Sequence, residues 1–176
     1  YTENIEDVKK CSARAYYNPL KGTYLEKVMN EKIFPSEKTK EYLNKRNKNR
    51  IFVLGIESEP ALENLEDLIL SAPMDGIFVG PNDLTTSIGI PDELNHKKYI
   101  DALKKIIKIS EKHHIPVMIH HATIELSSLS IELGSRFILH GSDSSLLTNA
   151  IHQDFSRLKN DKKIMNQANE ATKKPY

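Results

Sequence analysis

Residues 51–91 read IFVLGIESEPALENLEDLILSAPMDGIFVGPNDLTTSIGIP. The stretch opens on one apolar run, Ile51–Ile56, and carries a second, Gly76–Gly80, both rich in β-branched or aromatic residues. Short runs of this kind, without polar alternation, are how strands buried on both faces of a parallel sheet read. Between them, Glu59–Ala72 places Ala61, Leu62, Leu65, Leu68 and Ile69 on one helical stripe. Ser58 suits an N-cap, because its hydroxyl accepts from a free backbone N–H, and Pro60 falls in the first turn. Strand, helix and strand in this order predict a parallel pair joined by a right-handed crossover.

The same alternation continues downstream. Pro116–Ile119 (PVMI) and Arg136–His140 (RFILH) read as two further strands. Tyr99–His113 carries Leu103, Ile106, Ile107 and Ile109 at helical spacing, and Thr123 caps a stripe of Leu126, Leu129 and Leu133 that closes at Gly134. Ser142 or Asp143 opens a last helix with Leu146, Leu147, Ile151 and Phe155. Upstream, helices over about Glu3–Ala15 and Ser36–Asn47 are joined by a loop containing Asn18, Pro19 and Gly22. The predicted order is two helices and then four βα units, an α/β fold with a parallel sheet. Periodicity leaves two architectures open, a doubly wound sheet and a barrel. A complete barrel has eight strands in about 250 residues. The barrel reading therefore takes this chain as N-terminally truncated, a partial TIM (β/α)8 barrel of about four C-terminal βα units preceded by helices, in keeping with Tyr1 at the first position. Residues 1–158 are expected to form the domain and 159–176 a polar tail.

Composition narrows the function. Basic and acidic side chains number 25 and 24, net +1, so the large basic excess of a nucleic-acid binder is missing. The lysine-rich stretches Glu37–Arg50 and Lys159–Lys174 also carry acids or amides and read as solvated helix face and tail. No apolar run approaches the roughly 20 residues of a membrane span, and no signal-peptide succession is visible. The single cysteine, Cys11, excludes an internal disulfide and fits a reducing compartment, so the expected location is cytoplasmic.

In parallel α/β folds, function gathers where strands end and helices begin. Two strand ends carry acids. Glu57 follows Ile56 directly, and Asp83 follows Gly80-Pro81-Asn82. On neighbouring strands these carboxylates would share a rim, and two hard oxygen ligands suit magnesium or manganese. The other reading is structural: an acid at a helix N-terminus stabilises the dipole, and Gly80–Asp83 has turn composition. His120, His121 and His140, near the ends of the third and fourth strands, offer a zinc site or a base as an alternative. His113 and His114 end a helix, where a cation is favourable in any case.

The wording around the two acids resembles the HpcH/HpaI aldolase family of the phosphoenolpyruvate/pyruvate barrel superfamily. The matching residues are Ile56-Glu57, Asn64-Leu65, Asp75-Gly76, Gly80-Pro81-Asn82-Asp83-Leu84 and Gly89. Tyr42-Leu43 and Asn47 extend the match upstream; Leu133-Gly134, Phe137, Gly141-Ser142-Asp143 and Leu146-Leu147 extend it downstream. The resemblance spans about Asn4 to Ile151. It implies a class II, metal-dependent aldolase that cleaves a 4-hydroxy-2-oxo acid to pyruvate and an aldehyde. By position, Glu57 and Asp83 would ligate a divalent ion (magnesium, manganese or cobalt). Backbone amides at Asn82 and Asp83 would hold the pyruvate carboxylate, and Ile119 would line the pocket near its methyl group. The family's general-base histidine and substrate-gripping arginine would fall on strands before Tyr1. A homo-oligomer is the implied assembly.

This chain departs from the family at two places. Gly55 stands where the family has glutamine, and Tyr17-Asn18-Pro19-Leu20-Lys21-Gly22 lacks the arginine of the corresponding family loop. Lys21 supplies a charge there but not a planar fork. Two other readings follow: a lyase of the citrate-lyase-β or malyl-CoA type, or a non-catalytic remnant acting as an assembly module.

Overall fold

The computed structural model describes residues 2–160. Helices α1 (Ile5–Tyr17), α2 (Gly22–Glu31) and α3 (Glu37–Asn47) lead into the first strand, β1 (Val53–Ile56). There follow α4 (Glu59–Glu63), α5 (Leu65–Ser71), β2 (Gly76–Val79), α6 (Pro81–Ser87), α7 (Lys97–Lys112), β3 (Val117–His121), α8 (Ile124–Glu132), β4 (Phe137–His140) and α9 (Asp143–Asn160). The helix starts are capped as their sequences demand. Ser58 Oγ accepts from the Ala61 N–H at 3.3 Å, and Thr123 Oγ1 accepts from the Leu126 N–H at 3.4 Å. Asn4 and Ser36 do the same for α1 and α3.

All strand pairs are parallel, and the sheet order is β1-β2-β3-β4. This order decides between the two architectures. A doubly wound sheet reverses its direction at a switch point. Here each crossover moves one strand in the same direction, and right-handed crossovers then put the helices between the strands, α4 to α8, on one face. A singly wound arc of parallel strands with helices outside is part of a (β/α)8 barrel.

Side chains sort accordingly. Leu54 and Ile56, Ile77 and Val79, and Val117 and Ile119 share one face in register. All are buried, in one cluster with Leu62, Leu65, Leu68, Tyr99, Leu103 and Ile106 of the helices. Alternation sends Val53, Gly55, Phe78, Met118 and His120 to the opposite face, where none is fully buried. On β4 of that face, Phe137 and Leu139 are 53% and 47% exposed. Deleting a buried leucine from the helix-facing layer, such as Leu103, removes about 2–5 kcal/mol by the usual core rule.

The chain divides into two compact units, with the boundary between His140 and Gly141. In the second unit, α9 follows Gly141, whose φ of +65° is a conformation that glycine tolerates. The Ser142 hydroxyl accepts from the Ser145 N–H at 3.1 Å.

Several boundaries differ from the sequence reading. The helix expected over Glu59–Ala72 breaks at Asn64, whose ψ of 10° leaves the helical range, although Leu65, Leu68 and Ile69 are buried as anticipated. The loop expected around Gly22 contains α2; only Val28 of that helix is buried, so its apolar signal is faint. Gly80–Asp83 opens α6 instead of forming a free turn, with Pro81 in the first turn. The third strand continues past Ile119 to His121. Helix α9 runs through Asn160, so the first two residues of the expected tail are helical; residues 161–176 lie outside the described residues. Among the described residues, no helix is long and apolar enough to cross a membrane.

Candidate metal site

Strand pairing brings the two sequence-identified acids to one rim. Ile56 and Val79 are register partners, and the Gly80 N–H donates to Ile56 O at 3.2 Å. Glu57 is the next residue after β1, and Asp83 stands in the first turn of α6, immediately beyond β2. Glu57 is half-buried and Asp83 exposed. Among the described residues, neither carboxylate takes part in a hydrogen bond or ion pair.

Gly80 shows where the Glu57 side chain goes. A Cβ added at Gly80 would fall 2.7 Å from Glu57 Cγ and 3.1 Å from its Oε1. The glutamate therefore lies across the bare Gly80 backbone, toward the strand end from which α6 and Asp83 emerge. A glycine at this position makes room for the acid. Two uncommitted carboxylates at adjacent strand ends are a donor set that fits a hard divalent cation such as magnesium or manganese. The α6 N-terminus adds backbone donors. Its first intrahelical bond runs from the Leu84 N–H to Gly80 O at 2.9 Å, so the amides of Asn82 and Asp83 precede the helical ladder.

The other expected positions fall differently. Ile119 is wholly buried in the core between sheet and helices, not on the open face. The β3 side chains of the open face are Met118 and His120, because side chains alternate along a strand. The family resemblance places Ile119 near the substrate methyl, and the sequence does not fix the strand's phase. Gly55 is on the open face, so its missing glutamine is missing from the side away from the helices. Lys21 precedes α2 with extended backbone, and the strained position after it is taken by Gly22 at φ +58°.

The histidines do not converge. Among the described residues, no group of three or more His, Cys, Asp and Glu side chains is gathered as a ligand set. His121 is 1% exposed, and its Nε2 lies 3.0 Å from Ser130 Oγ. Its ring meets Tyr99 edge-on at 6.1 Å between centroids. Burial, and secondarily the charge of His120, pulls the His121 pKa down to about 4, which keeps the imidazole neutral. Burial alone pushes the Tyr99 phenol upward. His140 Nδ1 pairs with Ser127 Oγ at 2.9 Å, and His113 Nε2 meets Glu66 Oε1 at 2.8 Å. Lys112 Nζ also donates to Glu66 Oε1 at 2.5 Å, and with Lys112 first and His113 second these contacts hold the Glu66 carboxyl below its usual range.

The sequence pattern of a family described as HpcH/HpaI aldolase/citrate lyase matches residues 2–150. The 5-keto-4-deoxy-D-glucarate aldolase of Enterobacter sp. (strain 638) is 27% identical over 152 residues, covering 85% of this chain and 58% of its own length. The 4-hydroxy-2-oxo-heptane-1,7-dioate aldolase of Shigella flexneri is 30% identical over 125 residues, covering 70% of this chain and 46% of its own. The chain thus spans about half the length of the curated relatives it matches. Among solved structures, an HpcH/HpaI aldolase/citrate lyase family protein from Burkholderia cenocepacia J2315 aligns with a TM-score of 0.73 at 20% identity. That alignment covers 90% of this chain and 63% of the other.

Proposed function

Since the chain belongs to the HpcH/HpaI aldolase/citrate lyase family, we propose that Glu57 and Asp83 are its ligands to a divalent ion, serving cleavage of a 4-hydroxy-2-oxo acid to pyruvate and an aldehyde. The observation that supports this reading is the placement of two uncommitted carboxylates at adjacent strand ends, with Gly80 leaving space for one of them. Aldolases among the relatives support the reaction class.

The roles of the residues follow from their chemistry. Glu57 and Asp83 would hold magnesium or manganese, and cobalt by the same oxygen chemistry. When bound, the ion supplies Lewis-acid stabilisation of the negative charge that develops on a 2-oxo group during C–C cleavage. The backbone amides of Asn82 and Asp83 orient the substrate carboxylate, as free N–H groups at a helix start orient anions. Phe78 and Met118, on the open face below the acids, give the substrate an apolar floor. This chain's part in the reaction is therefore binding and orientation at one rim. The small-molecule partner is a 2-oxo acid, and the assembly is a homo-oligomer.

Manganese binding, followed by electron paramagnetic resonance, tests the assignment. Wild-type chain should take up Mn2+, and pyruvate should change the bound-ion spectrum. Glu57→Gln and Asp83→Asn should each abolish uptake while leaving the thermal midpoint unchanged. Uptake by both variants equal to wild type would remove the assignment and leave the assembly-module reading, which Gly55 and the arginine-free loop favour.

A further inference from the structure

The segment from Gly80 to Asp92 doubles back on itself around one buried hydroxyl. Thr85 is wholly buried, and its Oγ1 donates to Pro81 O at 2.9 Å, with Asn82 O a second acceptor at 3.0 Å. A threonine hydroxyl bonded to the preceding helical turn is common in itself. Here the same oxygen also accepts from the Asp92 N–H at 3.2 Å, and the Ile90 N–H donates to Thr85 O at 2.9 Å. Asp92 sits at φ +60°, in the left-handed region. Its Oδ1 in turn accepts from Asn82 Nδ2 at 2.9 Å. At the far end of α6, Ser87 Oγ accepts from the Glu59 N–H at 2.9 Å, which ties α6 to the start of α4, two residues beyond Glu57.

This closed set of contacts bears on the metal reading. Asn82 and Asp83 are adjacent, and both carry oxygens that a hard cation accepts. Successive residues of a helix point about 100° apart, so α6 can direct only one of them at a given point. The clasp to Asp92 commits the Asn82 side chain to the returning loop. Asp83 is left as the member of the pair whose carboxylate the loop does not use.

We infer that Thr85 and Asp92 are positioning residues for Asp83: together they fix the rotation of α6, so that Asp83 and not Asn82 is presented beside Glu57. The inference rests on the metal assignment proposed above. Neither residue touches the ion; each acts through α6. Partners of this kind, one step removed from the ligands, typically change metal affinity by about 10–100-fold when removed.

The test uses the whole chain and Mn2+ alone, with affinity read by electron paramagnetic resonance and folding by thermal melting. Asp92→Ala is an exposed change; the left-handed backbone costs alanine more than aspartate, so the melting midpoint should fall by about a few degrees while Mn2+ binding weakens about tenfold. Thr85→Val should weaken it by a similar factor or more, and Thr85→Ser, which restores the hydroxyl, should recover it. The double variant Thr85→Val/Asp92→Ala should bind no worse than about the weaker single variant, because both act through one rotation. Wild-type affinity in Asp92→Ala, with binding still abolished in Asp83→Asn, would overturn the inference and leave the metal site standing. Wild-type chain that takes up no Mn2+ would remove both.

Discussion

The two ends of β2 each carry an aspartate, and the two are employed in opposite ways. At the N-terminal end, Asp75 Oδ2 accepts from the Tyr16 hydroxyl at 2.5 Å and from the Phe52 N–H at 2.7 Å. The Asp75 N–H itself donates to Phe52 O at 2.8 Å. Burial, and next the bond to Asp75, pushes the Tyr16 phenol upward, so it remains a donor. Around it, the Ser12 hydroxyl donates to Pro73 O at 2.6 Å, and Asn47 Nδ2 donates to the carbonyls of Tyr16 and Asn18 at 2.8 and 2.9 Å. This rim is tied to α1 and α3 by polar contacts. At the C-terminal end, Asp83 and its neighbour Glu57 make no such bonds among the described residues. Barrels divide their labour in this way, with stability at the bottom of the strands and chemistry at the top.

The sharpest way to break the comparison is to remove Asp75. Asp75→Ala leaves a phenol and a backbone N–H without their charged acceptor. Hydrogen bonds to charged groups contribute about 1.5–3 kcal/mol each when shielded, and partial exposure here brings the expected total to about 2 kcal/mol. Urea denaturation should show that loss, with Mn2+ affinity of the folded protein unchanged. A fall in ion affinity as large as the fall in stability would mean that the two rims are not separable.

Gly80→Ala probes the other rim with the opposite signature. The Gly80 backbone, at φ −87° and ψ 97°, is accessible to alanine, so backbone strain is not the issue. The new methyl would lie 2.7 Å from Glu57 Cγ, and a flexible glutamate can swing aside at little cost to folding. Swinging aside is what the proposed site cannot tolerate. The expected outcome is a melting midpoint close to wild type and Mn2+ binding weaker by about tenfold, equivalent to about 1.4 kcal/mol. Unchanged binding would show that the position of Glu57 over Gly80 is incidental.

Much of the fold is legible in the sequence. The β-branched runs mark the strands, because strands buried on both faces need no polar alternation, and Glu57 and Asp83 stand out as candidates because they follow such runs. What the sequence left open were matters of phase and direction. The order β1-β2-β3-β4, which excludes the doubly wound sheet, depends on which strands become neighbours, and periodicity does not encode that. The family resemblance implies a pocket place for Ile119, yet a one-residue difference in phase moves a side chain to the other face. Here the phase buries Ile119 among the helices. The clasp of Asn82 and Thr85 with Asp92 was illegible for another reason: its partners are seven and ten residues apart and joined by turns with no periodic signature. Asp75 was noticed only as part of a turn into a strand, because its partner Tyr16 is 59 residues away.

The smallest predicted effect concerns β3, where two adjacent histidines lie on opposite faces near the same rim. His121 is on the helix side, buried, with a pKa of about 4 against an ordinary 6.5. The folded state therefore holds His121 neutral, whereas the unfolded chain takes up its proton as pH falls below about 6.5. The unfolded state binds more protons across this window, so stability is complete above pH 6.5 and declines as pH drops toward 4. From pH 7.5 to 5.5 the contribution of this group should amount to about 1 kcal/mol. His121→Leu, which keeps an apolar side chain against Tyr99, should flatten that part of the stability profile while lowering stability at pH 7.5 through the unpaired Ser130 hydroxyl. It should leave Mn2+ affinity at pH 7.5 as in wild type, because the side chain faces away from the acids. A profile as steep in His121→Leu as in wild type would show that the proton is taken up elsewhere. Loss of Mn2+ binding in the same variant would show that the helix-facing layer and the open rim are coupled, against the separation that Asp75 and Asp83 suggest.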